Sequence, residues 1–314
     1  MYAYFRTEVP AVHRQNTAST IPWPLNLRWP LAYWTAAFAR QTTFEPTIGQ
    51  NDSWNRGAYL IEGLAHCGAC HTPRNALGAE RANAAFAGGE VDDWSAYAIN
   101  AQSPAPVPWK AEALFSYLRN GWHRDHGAAR GPMAEVVGNL ADVPDADIRA
   151  IATYMADVSG APSPDRNRSA EEVLAQVKPS AATATADTPG AAIYAAACAT
   201  CHENGRALPF GGVRLALSTA LSSPDPRNAA NIVLAGIRPV EGERSAIMPG
   251  FAGSMSDAQL TALLNDLRAR FSHQPAWSGL EKTIADARRA QTAMLQTSPG
   301  PSSAPAEASQ RDKP

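Results

Sequence analysis

Apolar positions along the chain recur at helical spacing, and strand-like alternation is weak throughout. Trp54 to His66 predicts a helix with Tyr59, Leu60 and Leu64 on one side. Trp109 to Trp122 predicts a second, with Leu114, Tyr117 and Leu118 on its apolar face. Pro144 to Val158 predicts a third, opening on Pro144, Asp145 and Asp147 as a helix N-terminus favours, and presenting Ile148, Ile151, Ala152 and Met155. A second series follows. Pro189 to Ala197 begins it, Asp225-Pro226 caps and opens a helix ending near Gly236, and Ser256 to Gln259 makes a capping box before Leu260, Leu263, Leu264 and Leu267. Trp277 to Met294 predicts one more helix.

These elements repeat a plan of helix, cysteine pair, long loop, helix, methionine-bearing loop and helix. The first copy occupies residues 52–160 and the second 189–272. Residues 161–188 form a linker rich in Ala, Ser, Thr and Pro, with a brief helical interruption near Glu171 to Val177; such composition is semi-flexible and rarely packs. Residues 273–314 carry the last helix and, after Ser298, a tail expected to be disordered. The opening segment, residues 1–51, is aromatic and Pro-rich. Met1-Tyr-Ala-Tyr-Phe5 reads like the last turn of a helix rather than a chain start. The stretch Ile21 to Phe38 places Tyr33, Trp34 and Phe38 on a short apolar helix after Pro30. Such aromatic residues suit a membrane interface or a partner groove, or packing on the chain's own domains. The fold class expected is mainly α, with two tandem domains and long loops.

Composition sharpens this outline. A chain of 314 residues has length for two domains and tails, and its 45% apolar and 18% charged residues are those of globular protein. A net charge of −2 with scattered Lys and Arg gives no electrostatic footprint for nucleic acid. No run of about 18 apolar residues is present, so no membrane-spanning helix is expected, and no secretory signal opens the chain. The four cysteines sit as two close pairs, unlike the framework of a disulfide-stapled domain.

Those pairs carry the chemistry. Cys67-Gly-Ala-Cys70-His71 and Cys198-Ala-Thr-Cys201-His202 both read C-x-x-C-H, the attachment signature of c-type haem. Two thiols three residues apart on a helical turn face the same way, so both can form thioethers to one porphyrin edge. The following His then projects under the iron as proximal ligand. Zinc sites and thiol redox sites also use C-x-x-C, but neither needs a His directly after the second Cys. Chance supplies that His roughly once in 45 at each site, and twice roughly once in 2,000. Two covalently bound haem c groups are therefore expected. Because thiols are joined to haem after export, periplasmic exposure is expected too.

A haem serving electron transfer commonly takes a Met sulfur as sixth ligand. Gly131-Pro-Met133 and Ile247-Met248-Pro249 supply one candidate per copy, each in a loop before the final helix and beside a Pro that stiffens it. Met155, on an apolar helix face, and Met255, before a cap, read as core methionines. His123 and His126, in Gly121-Trp-His-Arg-Asp-His-Gly127, rival Met133 but read as solvated. His66 reads as a surface or haem-edge residue.

With these residues in hand, the chain resembles the cytochrome subunit of bacterial periplasmic dehydrogenase complexes acting on alcohol, gluconate, aldehyde or nicotinate. The matching stretches are Trp54-Asn-Arg-Gly-Ala-Tyr-Leu60, Cys70-His-Thr-Pro-Arg-Asn75, Gly131-Pro-Met-Ala-Glu-Val-Val137, Asp147-Ile-Arg-Ala-Ile-Ala-Thr-Tyr154 and Met248-Pro-Gly-Phe251. The resemblance implies class I cytochrome c domains. It implies a catalytic dehydrogenase partner carrying molybdopterin, pyrroloquinoline quinone or flavin, and electron delivery to membrane ubiquinone or another acceptor. The runs Ala207-Leu-Pro-Phe-Gly-Gly212 and Ser103-Pro-Ala-Pro-Val-Pro108 lean toward the molybdenum type. Members of the family usually carry three haem domains behind a signal peptide, so Met1 to Val9 reads as the end of a missing first domain. Asp266 stands where the first copy has Tyr154, which puts an aromatic helix contact in question. Two alternatives belong to other classes: a dihaem peroxidase, which needs an iron with a displaceable ligand, and a free soluble electron shuttle.

Overall fold

The computed structural model describes residues 2–24, 26–39, 43–176, 187–203, 205–206, 211–237, 247–272 and 274–297. The readings on the end of the linker, on Ala207 to Phe210 and on the tail from Ser298 lie outside the described residues. The chain forms two compact units, one reaching to Thr43 and one beginning at Phe44. The first unit holds helices α1 (Tyr2–Thr7) and α2 (Trp29–Phe38). Helix α2 takes Pro30 into its first turn, where a missing N–H costs nothing. Its aromatic residues meet at helical i, i+4 spacing: Trp29 and Tyr33 edge-on at 5.9 Å, Trp34 and Phe38 at 5.6 Å. None of its residues is buried.

The second unit contains two hydrophobic cores, and the segments around them form a first and a second lobe. The first lobe opens with α3 (Asp52–Tyr59), capped by the Asn51 side chain accepting from the Trp54 amide at 2.8 Å. The helix runs on as a π-helical turn, Leu60–Leu64, and reaches the short α4 (Gly68–His71). An antiparallel hairpin follows, β1 (Gly89–Val91) with β2 (Trp94–Ala96). Next come α5 (Ala111–Asn120), a two-residue ladder of β3 (Trp122–His123) with β4 (Gly127–Ala128), α6 (Pro132–Leu140) and α7 (Asp145–Ser159). Helix α7 crosses α3 at Gly57, where a Cβ would stand 2.0 Å from the Ala150 carbonyl oxygen. Only glycine permits that approach, and it brings Ile61, Ile148, Ile151, Tyr154 and Met155 into one core.

Helix α8 (Pro164–Gln176) is longer than the brief interruption expected in the linker. It also packs: Ala170 is buried, and Arg166 donates to the carbonyls of Ala101, Ser103 and Ala105. A composition of small residues thus concealed a helix anchored by one arginine.

The second lobe repeats the crossing. It contains α9 (Pro189–Ala197), α10 (Ala199–His202), α11 (Thr219–Ser222), α12 (Arg227–Ala235), α13 (Asp257–Phe271) and α14 (Leu280–Thr297). Helix α13 crosses α9 at Gly190, where a Cβ would lie 2.2 Å from the Ala262 carbonyl oxygen. The capping box expected at Ser256 and Gln259 is present. Tyr194, Leu260, Leu263 and Leu264 are fully buried, and α14 closes the core with Leu280 and Ile284. Arg268 is 4% exposed. Its guanidinium lies 4.3 Å from the Trp277 ring centroid and donates to the carbonyls of Pro275, Ser223 and Leu221. A buried charge is tolerable there because its donors are met by backbone oxygen. Among the described residues, no helix is long and apolar enough to cross a membrane.

Candidate haem-attachment sites

Each C-x-x-C-H run folds as one tight helical turn opened by its first cysteine. In the first, the Cys67 carbonyl accepts from the amides of Cys70 at 3.3 Å and His71 at 3.0 Å. In the second, the Cys198 carbonyl accepts from Cys201 and His202, both at 3.1 Å. The turn fixes both cysteines of a pair on a single loop of backbone, and the histidine directly follows. The first turn is entered through His66, at φ +36°, after the π-helical turn. His66 is exposed, as expected. Arg74 braces this turn by donating to the carbonyls of Ala69 at 3.0 Å and Gly78 at 2.7 Å.

The two histidines are oriented alike. The Nδ1 of His71 lies 2.7 Å from the carbonyl oxygen of Tyr97, and the Nδ1 of His202 lies 2.7 Å from that of Val213. A carbonyl can only accept, so Nδ1 carries the proton and Nε2 keeps a lone pair for a metal. Burial holds both rings below the usual imidazole range, against the opposing pull of those carbonyls. Both rings are therefore neutral donors at neutral pH. Burial also pushes the thiols of Cys67 and Cys198 up to about 11.

A glycine lets the following loop lie against each turn. A Cβ on Gly89 would sit 2.3 Å from the Cys70 carbonyl oxygen; on Gly212 it would sit 2.7 Å from His202 Nδ1. The amides of Gly88 and Gly212 donate to the carbonyls of His71 and Cys201, at 2.8 and 3.0 Å. These glycines and the acceptor residues Tyr97 and Val213 were not foreseen. The available signal was a Gly-Gly pair downstream of each motif, Gly88-Gly89 and Gly211-Gly212.

The structure brings each candidate methionine to the core that holds the matching cysteine. Met133 and Cys67 pack against the first core, Met248 and Cys198 against the second. Met155 is a buried core residue and Met255 packs on the second core, as read from their positions. Met133 does not lie in a loop: it stands in the first turn of α6, after Gly131 at φ +59° and with Pro132 opening the helix. Met248 is extended and fixed by a two-bond bridge to Ile237, at 2.8 and 2.9 Å.

His126 is not solvated. It is 8% exposed and stacked on Trp109, ring centroids 3.5 Å apart and planes at 12°. Burial pushes it down to about 3, and its Nδ1 has no hydrogen-bond partner. His123 is half-buried, its Nδ1 accepting from the Asp125 amide.

This donor set fits a c-type haem: paired thiols on one turn, a neutral imidazole with one nitrogen committed to a carbonyl, and a thioether at the same core. Among the described residues, no group of three or more His, Cys, Asp and Glu side chains gathers as a zinc-type site would require.

Comparison with known proteins agrees. The family described as cytochrome c oxidase, cbb3-type, subunit III matches residues 185–265. One of the named nicotinate dehydrogenase subunits of Pseudomonas putida is 37% identical over 292 residues, covering 92% of this chain and 24% of that protein. The gluconate 2-dehydrogenase cytochrome c subunit of Pantoea cypripedii is 33% identical over 316 residues, covering 93% of this chain and 69% of the relative. A diheme cytochrome c-type protein of Cereibacter sphaeroides is 36% identical over 152 residues, 48% of this chain and 50% of its own length. The chain thus spans about a quarter of the first relative, about two thirds of the second and half of the third.

Proposed function

Because the chain belongs to the family of cytochrome c subunits of dehydrogenase complexes, we propose that it is a dihaem electron-transfer protein of such a complex, made of two tandem class I cytochrome c domains. The supporting observation is the duplicate site: two C-x-x-C-H turns, each with its histidine Nδ1 2.7 Å from a backbone carbonyl. Haem c supplies one-electron iron chemistry when bound. Cys67 with Cys70, and Cys198 with Cys201, would hold it through thioethers. His71 and His202 would hold the iron through Nε2, and Met133 and Met248 would offer it a sulfur. The carbonyls of Tyr97 and Val213 fix the ring orientation and raise the donor strength of each imidazole. Pro132 and the Ile237 bridge hold the two methionine backbones still. With a histidine and a methionine to hold each haem, the chain would carry electrons rather than act on a substrate at iron.

The partner in this reading is a catalytic dehydrogenase subunit using molybdopterin, pyrroloquinoline quinone or flavin. The acceptor is ubiquinone or another respiratory carrier, and the location is the periplasm, at the inner-membrane surface. The relatives named for nicotinate and gluconate dehydrogenases support a partner of this kind. The exposed aromatic residues of α2, Trp29, Tyr33, Trp34 and Phe38, support attachment to a partner or membrane surface.

The test is haem stoichiometry in a host that attaches haem c. Pyridine haemochrome assay should give two covalent haems per chain, and one in either Cys67/Cys70→Ala or Cys198/Cys201→Ala. Met133→Ala and Met248→Ala should each remove half of the Met-to-iron charge-transfer absorbance. A colourless protein, or pigment extracted by acid acetone, would overturn the assignment. Rapid peroxide turnover by the half-reduced protein would replace the carrier with a peroxidase.

A further inference from the structure

The histidine acceptors lie where the two lobes meet. Tyr97, whose carbonyl receives His71, directly follows β2. Helix α12 of the second lobe lies on that strand. The Asn228 side chain there behaves as one more strand residue: Oδ1 accepts from the Ser95 amide at 2.9 Å, and Nδ2 donates to the Ser95 carbonyl at 2.8 Å. The Tyr97 hydroxyl lies beside the same side chain. Asn228 is 5% exposed, so these bonds are shielded from water. Around them, Arg227 pairs with Glu90, and Asn231 donates to the Asp93 carbonyl at 3.0 Å.

The far end of α12 is tied to the other half of the chemistry. Arg130, three residues before Met133, donates through Nε to the Gly236 carbonyl at 2.5 Å. Gly236 ends α12 and directly precedes the Ile237 bridge that fixes Met248. The contact is reciprocal, because a Cβ on Gly127 of the first lobe would stand 3.6 Å from Cγ2 of Val213, the acceptor residue of His202.

We propose that Asn228 is a positioning residue for the first haem although it belongs to the second lobe: by pinning the backbone of Ser95, two residues before Tyr97, it fixes the carbonyl that polarises His71. The inference rests on the dihaem assignment above. A firm Nδ1–H to carbonyl bond makes the imidazole a stronger donor and favours ferric iron. Releasing the Ser95–Tyr97 segment weakens that bond and raises the potential of the first haem. Helix α12 thereby makes the first haem responsive to the packing of the second lobe.

The experiment compares Asn228→Ala, Tyr97→Phe and Asn231→Ala in the holoprotein. The readouts are each haem's potential, from spectroelectrochemical titration with the two haems told apart by their NMR heme-methyl signals, and the NMR signal of the His71 Nδ1 proton in the reduced protein. Asn228→Ala should lower the ferric-to-ferrous ratio of the first haem about tenfold at a fixed solution potential, a rise of about 59 mV for a one-electron couple. The His71 Nδ1 proton should move upfield as its hydrogen bond weakens, and the second haem should move much less. Tyr97→Phe, which removes only the hydroxyl, should shift the first haem in the same direction by a smaller factor. It carries the test if Asn228→Ala does not accumulate. Asn231→Ala loosens the same interface without touching Ser95 or Tyr97 and should leave the potential in place. An unmoved first haem in Asn228→Ala and Tyr97→Phe, or an equal shift in Asn231→Ala, overturns the proposal. Two haems per chain in every variant keep the dihaem assignment standing whichever way the potentials fall.

Discussion

The two lobes solve one problem with different supports. Both make the same tight turn, both set a histidine Nδ1 2.7 Å from a carbonyl, and both cross two helices at a glycine, α3 with α7 and α9 with α13. Away from those points they diverge. In the first lobe Tyr154, on the last helix, packs edge-on against Trp54 at 4.9 Å and donates to Glu62 on the π-helical turn after the first helix. The second lobe has Asp266 at that place, but the aromatic contact is not lost. Tyr194 on its first helix donates to Glu203, Phe271 on α13 meets the Tyr194 ring at 5.6 Å, and Arg270 lies over both rings. The tyrosine–glutamate pair survives with its tyrosine moved to the opposite helix. What stays constant is the geometry a cofactor would touch; what varies is packing, where any set of well-filled contacts suffices.

The strongest way to break the comparison is to attack its shared element. Gly57→Val and Gly190→Val would each drive a Cβ into backbone, 2.0 Å from the Ala150 oxygen and 2.2 Å from the Ala262 oxygen. Backbone cannot rotate aside, so each helix pair must separate. We expect a loss of about 3 kcal/mol in urea unfolding for each. If the lobes unfold separately, the two variants should destabilise different transitions. An unchanged midpoint in either would mean that its crossing is not held at this distance in solution.

His126 offers a contrast the second lobe lacks, since no histidine among that lobe's described residues is as buried. Burial, reinforced by His123, depresses its pKa to about 3. Between the unfolded value near 6.5 and that folded value, the unfolded chain binds a proton that the folded chain refuses. Stability from the neutral ring is thus complete above about pH 6.5 and declines as pH falls below it. At pH 5 the loss is about 2 kcal/mol. His126→Phe keeps a ring on Trp109 and cannot take the proton. The urea midpoint should therefore fall between pH 7.5 and pH 5 in the parent much more than in the variant. Equal falls would refute the assignment.

How much of this was legible in the chain follows the range of the forces involved. Helix periods and caps act over three or four residues, so α7, α9, α12 and the Ser256 capping box could be read directly. The two cysteine–histidine turns are legible because each motif is one run of adjacent residues, which folds as a single helical turn. The sequence places Met133 in a loop before the final helix beside a stiffening Pro, whereas Pro132 at the first helical position opens α6. His126 looked solvated because its neighbours in sequence are charged or glycine; its burial comes from Trp109, 17 positions away. The acceptors of His71 and His202 left no mark, since every residue has a carbonyl and the fold alone decides which one arrives.

A smaller effect separates the helix ties next to the crossings. In the second lobe Thr188, the cap of α9, donates to Asp266 Oδ1 at 3.1 Å, while Oδ2 is buried without a hydrogen-bond partner. Asp266→Asn can keep the acceptor for Thr188 and replaces the orphan oxygen with an uncharged amide. Relief of an unsatisfied charged acceptor should leave stability unchanged or raise it by about 1 kcal/mol in urea unfolding. A loss of that size would show that the carboxylate has a partner in solution.

The corresponding tie in the first lobe is an ion pair, and its expected effect is the least of these. Arg56, one residue before Gly57, donates through both Nε and a terminal nitrogen to Asp147 at the start of α7, at 2.8 and 2.9 Å. The guanidinium hydrogen bond holds the Asp147 carboxyl below its usual range. A depressed carboxylate pKa contributes stability above the unfolded value near 3.9, lost as pH falls through the folded value. The side chains are 48% and 23% exposed, so solvent screens most of the attraction. Arg56→Gln should therefore cost under about 1 kcal/mol at pH 7 despite the two-pronged geometry. The difference from the parent should vanish at a pH below the folded Asp147 value and shrink in high salt. A cost that persists in acid would locate the role of Arg56 in its stem and its guanidinium, 5.6 Å from the Tyr59 ring centroid. The charge would then be incidental, and the two lobes would differ in packing alone.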